Sequence, residues 1–345
     1  MEISRCCACA YDFCLVHFTF AVELSGIMAS IRRAVIDVGT NSVKLLVADV
    51  EGHVVVPVFE ESEQTRLGKG FYATHVLQPE PIHDTARAVA QFAGIARIKS
   101  ARSIRVIATS AARDAVNQSE LLDSIQRASG LSVEVITGQQ EAEWVYQGVR
   151  SDPKFAGQRL LILDVGGGSS EFIVGHLDNP EFSQSFPLGS VRLLEQLKPS
   201  DPPSPAELNH CRDVVKGFVA EKVRPVLEPL LASGLSPTRL IGTGGSASIL
   251  ARMEYALDKY SRSKIDDAQI SLASIQQWMA KLWSMPLRDR RQIVGLPKKR
   301  ADVILTGMAI YESVMEQLGF PTLYASTRGL RFAATMQGAE EIIRT

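Results

Sequence analysis

Cysteine is nearly missing from most of this 345-residue chain. Cys6, Cys7, Cys9 and Cys14 crowd the start, and only Cys211 follows. Their spacing matches no paired C-x-x-C zinc pattern. One remaining thiol allows no disulfide framework, so the chain reads as reduced and cytoplasmic. A surplus of charge is missing too. The net charge of −1 excludes a global basic field that would recruit polyanions, so attraction to one must be local. The longest apolar stretch, 13–28, is interrupted by His17 and Glu23 and is shorter than the ~20 residues that span a bilayer, so no membrane partner is expected. Histidines 17, 53, 75, 83, 176 and 210 show no clustered ligand spacing, which speaks against a zinc centre. G-x-x-x-x-G-K-[ST] does not occur and no glycine turn completes G-x-G-x-x-G, so the P-loop and Rossmann signatures are lost.

What remains is ordinary for a soluble globular protein, with 46% hydrophobic and 22% charged residues. Single cores seldom grow past ~250–300 residues, so the length suggests two domains. Residues 1–27 differ in character from the rest. Met28 stands directly before the first clear strand, and the working protein is expected to begin near it, with 1–27 a start-site artefact or disordered tail. Without the one Arg and three acids of that stretch, 36 basic and 35 acidic residues are left.

The stretch 160–174 organises the chain. Four apolar residues run into Asp164, then come Gly166, Gly167, Gly168, Ser169, Ser170, Glu171 and a second apolar run. This predicts a buried strand, a tight turn and another strand. Three glycines let a ligand approach backbone N–H groups, successive exposed N–H groups make an anion nest, and the two serines add donors. Asp164 at the strand end suits a hydrated divalent cation. The combination suggests phosphate plus magnesium, although a glycine-rich hairpin without a ligand reads equally well from this segment alone. A copy lies upstream at 34–47. Moved by 127 positions, Asp37, Val38, Gly39, Ser42 and Val47 fall on Asp164, Val165, Gly166, Ser169 and Val174. Such a repeat predicts two similar domains, each offering a turn to one ligand.

Between the copies, helical spacing over 81–99 and 121–128 alternates with strand patterns at 103–108 and 132–136, as in layered α/β domains. After the second copy, one long amphipathic helix is expected over 205–231. The segment 240–249 is a third strand and glycine turn, entering a helix whose N-terminus at Gly244, Gly245 and Ser246 favours phosphate. The last third reads as mostly helical.

The chain from about Ile31 onward resembles the exopolyphosphatase/guanosine pentaphosphate phosphohydrolase (Ppx/GppA) family, within the actin/Hsp70/sugar-kinase superfamily. The resemblance rests on Asp-Val-Gly-Thr-Asn-Ser (37–42), Ala-Thr-Ser-Ala-Ala-Arg (108–113), Thr-Gly-Gln-Gln-Glu-Ala (137–142), Asp-Val-Gly-Gly-Gly-Ser-Ser-Glu (164–171), Gly-Thr-Gly-Gly-Ser (242–246) and Arg-Ala-Asp (300–302), whose order and spacing match over about 300 residues. It implies an α/β fold of two duplicated actin-like (ribonuclease H-like) domains around a cleft. Domain I would hold 28–135 plus 329–345, and domain II 136–328.

The resemblance implies hydrolysis of a terminal phosphoanhydride with Mg²⁺ or Mn²⁺, releasing orthophosphate from inorganic polyphosphate. Guanosine pentaphosphate is the rival substrate, and a non-catalytic sensor the rival of another class. Glu141 stands where the family has its catalytic glutamate, with Gln140 in place of a frequent second acid. From the residues alone, Thr137 and Gln140 predict a capping box that puts Glu141 in the first turn of a helix, where it reads as a base or as a routine solvated glutamate. Arg113 maps onto a phosphate-binding arginine whose planar fork grips phosphoryl oxygens; it can equally pair with Asp114 or Glu120. Asp164 would bind the metal and Asp37 share it by symmetry, Glu171 would position metal-bound water, and Asn41, Ser42, Gly166, Gly167, Gly168 and Ser169 would donate to phosphate. Residues 281–300 carry seven basic residues against one acid, and Arg288, Arg291, Lys298, Lys299 and Arg300 are expected to lead a polymer to the cleft. No aromatic platform accompanies them, so nucleic acid is not expected. A homodimer is left open. Gly329-Leu-Arg331 fits the family, but Phe332-Ala333 replaces the acid–glycine pair that often follows, which puts the hinge there in doubt.

Overall fold

The computed structural model describes residues 30–233 and 237–337; the expectations for 1–27 and for the chain end beyond 337 fall outside it. Eleven strands form two sheets among the described residues. The first contains β1 (Ile31–Val38), β2 (Val43–Glu51), β3 (Val54–Glu63), β4 (Ser103–Ala108) and β5 (Val133–Val135), in the order β3-β2-β1-β4-β5. The second contains β6 (Arg159–Val165), β7 (Ser170–Gly175), β8 (Pro180–Phe186), β9 (Thr238–Thr243), β10 (Gln269–Ser271) and β11 (Thr322–Ala325), in the order β8-β7-β6-β9-β11-β10. In each sheet an antiparallel three-strand meander is joined by its first strand, in parallel, to a later strand. The expected duplication is therefore present in the topology as well as in the residues.

The helices are α1 (Pro79–Ile98), α2 (Ser110–Arg113), α3 (Gln118–Ser129), α4 (Gly138–Arg150), α5 (Ser190–Leu197), α6 (Pro205–Phe218), α7 (Arg224–Ser233), α8 (Gly244–Glu254), α9 (Arg262–Asp266), α10 (Leu272–Trp283), α11 (Leu287–Arg290), α12 (Ile304–Leu318) and α13 (Leu330–Met336). The single helix expected over 205–231 is instead α6 and α7 joined by a π-helical turn at Val219–Val223. Ser204 and Glu207 start α6 with a reciprocal capping box that the sequence reading overlooked.

Strand alternation sorts the core into layers. Ala34, Ile36 and Val38 of β1 face α1 and α3, while Leu161, Leu163 and Val165 of β6 face the helical layer containing α12. The opposite faces, including Val35, Ile107, Leu160, Ile162, Ile173 and Ile241, meet α4 and α13 in one shared apolar cluster. Strands buried on both faces read as continuous apolar runs. α4 and α13 thus lie between the sheets. Among the described residues no helix is long and apolar enough to cross a membrane.

Candidate active site

Each hairpin places its aspartate at the same point. Asp37 ends β1 opposite Lys44 of β2, and Asp164 ends β6 opposite Glu171 of β7. Both turns close alike, with Gly39 N–H donating to Ser42 O and Gly166 N–H to Ser169 O at 3.0 Å. The two turns and the N-terminus of α8 open onto one cavity of about 770 Å³, also lined by Thr109, Ser110 and Glu141. Gly244 approaches Asp164 so closely that a Cβ would lie 2.1 Å from Oδ1. Its φ of +80° reinforces the requirement for glycine.

Glu141 is placed by the start of α4, where Thr137 Oγ1 accepts from Gln140 N–H, the Thr137 half of the expected box. Its carboxylate is buried and receives Arg113 Nη1 at 3.0 Å, while the same nitrogen donates to Ile136 O at 3.1 Å. Asp114 lies 3.7 Å from the Arg113 Nε, so the local pairing weighed at the sequence level also exists but is longer. Burial, opposed by Arg113 and reinforced by Asp37 and Asp164, pushes Glu141 up to about 7. Burial likewise pushes Asp164 up to about 6 and raises Asp37, with Lys44 and Arg331 pulling both the other way. Glu171 is raised by burial and by Glu141 and Asp164, although the Ser169 and Ser185 hydroxyls donate to it at 2.9 and 2.7 Å.

The remaining expected residues divide into groups. Asn41 keeps a buried Nδ2 without a hydrogen-bond partner, while its Oδ1 accepts from Gln64, so it has a donor to offer. Ser42 Oγ accepts from Arg300 Nη2 at 2.5 Å across the cleft. Gly166 is corrected: its N–H is consumed inside the turn. Ser169 is corrected in part, because its hydroxyl proton is directed to Glu171. A Cβ on Gly168 would lie 2.4 to 3.0 Å from Ser110 Oγ, Tyr72 OH and Thr40 Oγ1, and one on Gly167 would be 2.9 Å from Thr40 Cβ. The bare glycines therefore make room for the facing domain as well as for a ligand. Gly245 and Ser246 line the cavity at the start of α8. Of the basic stretch, Lys298, Lys299 and Arg300 line the cavity. Arg288 and Arg291 are exposed and do not line the cavity, Arg288 pairing with Asp289, while Arg290 between them is buried beside Asp201.

Whether the acids suit a metal depends on how many must hold it. Among the described residues no three His, Cys, Asp or Glu side chains gather as a closed ligand set. Asp37 Oδ1 is nonetheless buried without a hydrogen-bond partner. Mg²⁺ takes one or two protein carboxylates and completes its shell with water and phosphate oxygens, and this donor set fits that habit.

The family model described as the Ppx/GppA phosphatase family matches residues 46–334. The chain belongs to the Ppx/GppA phosphatase family. Exopolyphosphatase 2 of Mycobacterium tuberculosis is 32% identical over 304 residues, covering 84% of this chain and 92% of its own length. Exopolyphosphatase 1 of Mycobacterium bovis is 28% identical over 302 residues, covering 87% and 86%. Among solved structures, an exopolyphosphatase from Cytophaga hutchinsonii gives a TM-score of 0.79 at 27% identity, over 90% of this chain and 99% of that one. The PPX-GPPA enzyme of Aquifex aeolicus gives 0.71 at 27% identity, over 89% and 99%.

Two cations of this Ppx/GppA cleft escaped the sequence reading. Lys44 and Arg331 both line the cavity and act electrostatically on Asp37 and Asp164. Lys44 was within reach: the 127-residue shift that maps Asp37 onto Asp164 maps Lys44 onto Glu171. Arg331 Nη1 donates to Leu45 O at 2.9 Å, which ties α13 to β2. Phe332, the departure from the family pattern, packs against Leu46, Ala48, Val50 and Val55 and lies under the Arg262 and Arg328 guanidinium groups.

Proposed function

We propose that this chain is an exopolyphosphatase, releasing orthophosphate from the ends of inorganic polyphosphate. The observation that carries the reading is Glu141: a buried carboxylate raised to about 7, held by Arg113 at 3.0 Å, opening on the cavity that Asp37, Asp164 and the glycine turns share. The names of the curated relatives support it. A base near neutrality is ionised when needed yet basic enough to take a proton. Water bonds to the terminal phosphorus, its proton passes to Glu141, and the bridging P–O bond breaks with its electron pair leaving on the shortened chain. Arg113, Lys44, Arg331 and Arg300 neutralise phosphoryl charge, and Asn41 with the residues of the α8 N-terminus positions it. Phosphoryl transfer asks for little else. Asp164 and Asp37 would hold Mg²⁺ or Mn²⁺, which supplies further charge neutralisation on the phosphoryl oxygens.

Guanosine pentaphosphate is the second substrate to weigh. Ile249 and Tyr260 line the cavity and offer apolar surface for a base. A sensor without turnover fits less well, since a buried acid kept near neutrality has no evident use in mere binding. Phosphate release from each substrate by the purified chain, with and without Mg²⁺, decides among the three. The Glu141→Gln variant should lose about 10² to 10⁴-fold in kcat while retaining substrate binding. Unchanged turnover in that variant removes Glu141 from the mechanism.

A further inference from the structure

The carbonyls of the Gly166–Gly168 turn are all engaged by one segment. Ser190 N–H donates to Gly166 O at 3.0 Å, the Val191 and Arg192 N–H groups to Gly167 O at 2.8 and 3.1 Å, and Arg192 Nε to Gly168 O at 2.8 Å. These donors come from the first residues of α5, just after β8. Thr306 Oγ1 of α12 anchors them by donating to Ser190 O at 2.6 Å. With its carbonyls engaged and the Gly166 N–H used within it, the turn still lines the cavity, and its remaining peptide N–H groups are the ones an anion nest would use. The twin turn uses the same device. Gly68 N–H donates to Thr40 O at 2.7 Å and Arg66 N–H to Asn41 O at 3.1 Å, from the segment just after β3.

These two straps also meet each other. The Arg192 guanidinium lies over the Tyr72 ring at 4.4 Å and its Nη2 is 3.7 Å from Asp114, next to Arg113. Glu195 accepts from Gly70 N–H at 2.5 Å and lies 3.5 Å from Tyr72 N. Arg192 therefore holds the glycine turn of the second sheet with one nitrogen and the opposite domain with the rest of its guanidinium. A lysine cannot make that planar fork.

We propose that Arg192 is a positioning residue that sets the Gly166–Gly168 turn for phosphate only when the two domains are closed on each other. It touches neither water nor the scissile bond; it makes phosphate binding and domain closure one event. The inference rests on the reading of the cleft as a phosphate site, not on which phosphoanhydride is cleaved.

The test uses the full chain with Arg192→Ala, Arg192→Lys and Glu195→Ala. Binding of inorganic tripolyphosphate is measured calorimetrically with Mg²⁺, alongside melting temperature and, on whichever substrate the wild type turns over, kcat and its pH profile. Affinity should fall about tenfold in both Arg192 variants, and kcat by about 10²-fold, with melting temperatures close to wild type and the Glu141 limb of the profile unmoved. Glu195→Ala, which touches only the facing strap, should weaken binding less but in the same direction, and it serves if Arg192→Ala does not fold. Unchanged tripolyphosphate affinity in Arg192→Lys or Glu195→Ala, or losses that merely track melting temperature, would overturn the proposal. Wild-type binding without turnover would instead count against the hydrolase reading and leave this inference standing.

Discussion

Lys44 and Glu171 hold the same position in two hairpins built alike, yet one is a cation and the other an acid raised by burial. Burial lowers Lys44 while Asp37 and Asp164 pull it back, so the three share one electrostatic cluster. Replacing Lys44 by Met removes a charge that holds both aspartates down. We expect turnover to fall by about 10²-fold, the scale for losing one fixed charge-stabilising group. Unchanged turnover in that variant would separate Lys44 from the chemistry. In the wild type, kcat/KM should rise with pH through about 7, because Glu141 must be ionised and burial sets its value there. At this scale the residues the structure gathers around the cavity, Asp37, Glu141 and Asp164 with the glycine turns, and Arg113 on Glu141, were named beforehand from motif spacing and from the family resemblance. The sequence did not reveal that Gly166 spends its N–H within the turn, because backbone bonding leaves no mark on residue type.

α4 joins chemistry to packing: Glu141 sits in its first turn, and Gly148 two turns later lies against the start of α13. A Cβ at Gly148 would be 2.0 Å from Gly329 O, so neither element can yield without moving the other. Gly148→Ala should cost about 1–3 kcal/mol by overpacking and lower the melting temperature. It should also reduce kcat, since the shift passes along α4 to Glu141. Scanning calorimetry and steady-state kinetics on one preparation would check both, and a melting point equal to wild type would show that the contact gives way easily. Strands and helices of this kind were largely legible, because periods of 2 and 3.6 survive in the apolar pattern. The π-helical turn in the middle of 205–231 was not, since the apolar residues Val215, Val219, Val223 and Leu227 keep a helical spacing straight through it. The burial of Arg290 between the exposed Arg288 and Arg291 was hidden for a similar reason: charge density along a chain says nothing about which side of a four-residue helix is covered.

At the scale of the whole molecule, the cavity between the sheets concentrates buried acids that the unfolded chain would expose. Asp37, Glu141, Asp164 and Glu171 all have raised values when folded, so the folded state binds more protons than the unfolded one between the ordinary carboxylate range and about 7. Stability of the metal-free protein should therefore fall as pH climbs through that window, the reverse of a protein held by surface ion pairs. Melting temperatures from pH 5 to pH 8 would show this, and Glu171→Gln should flatten the slope; a rise in stability over the same range contradicts it. The duplication and the cleft were legible because the repeat lies in the residues themselves, whereas the closing contacts Arg300–Ser42 and Arg66–Asp302 join segments more than two hundred residues apart and leave no local pattern. The unequal pair at 44 and 171 has one more consequence. Lys44 is a cation that both aspartates share, whereas Glu171 is pushed up further by Glu141 and Asp164, so the two hairpins face the cavity with unequal charge. On the exopolyphosphatase reading proposed above, a phosphate chain would be drawn toward the Lys44 hairpin, and Lys298 and Lys299 line the same cavity.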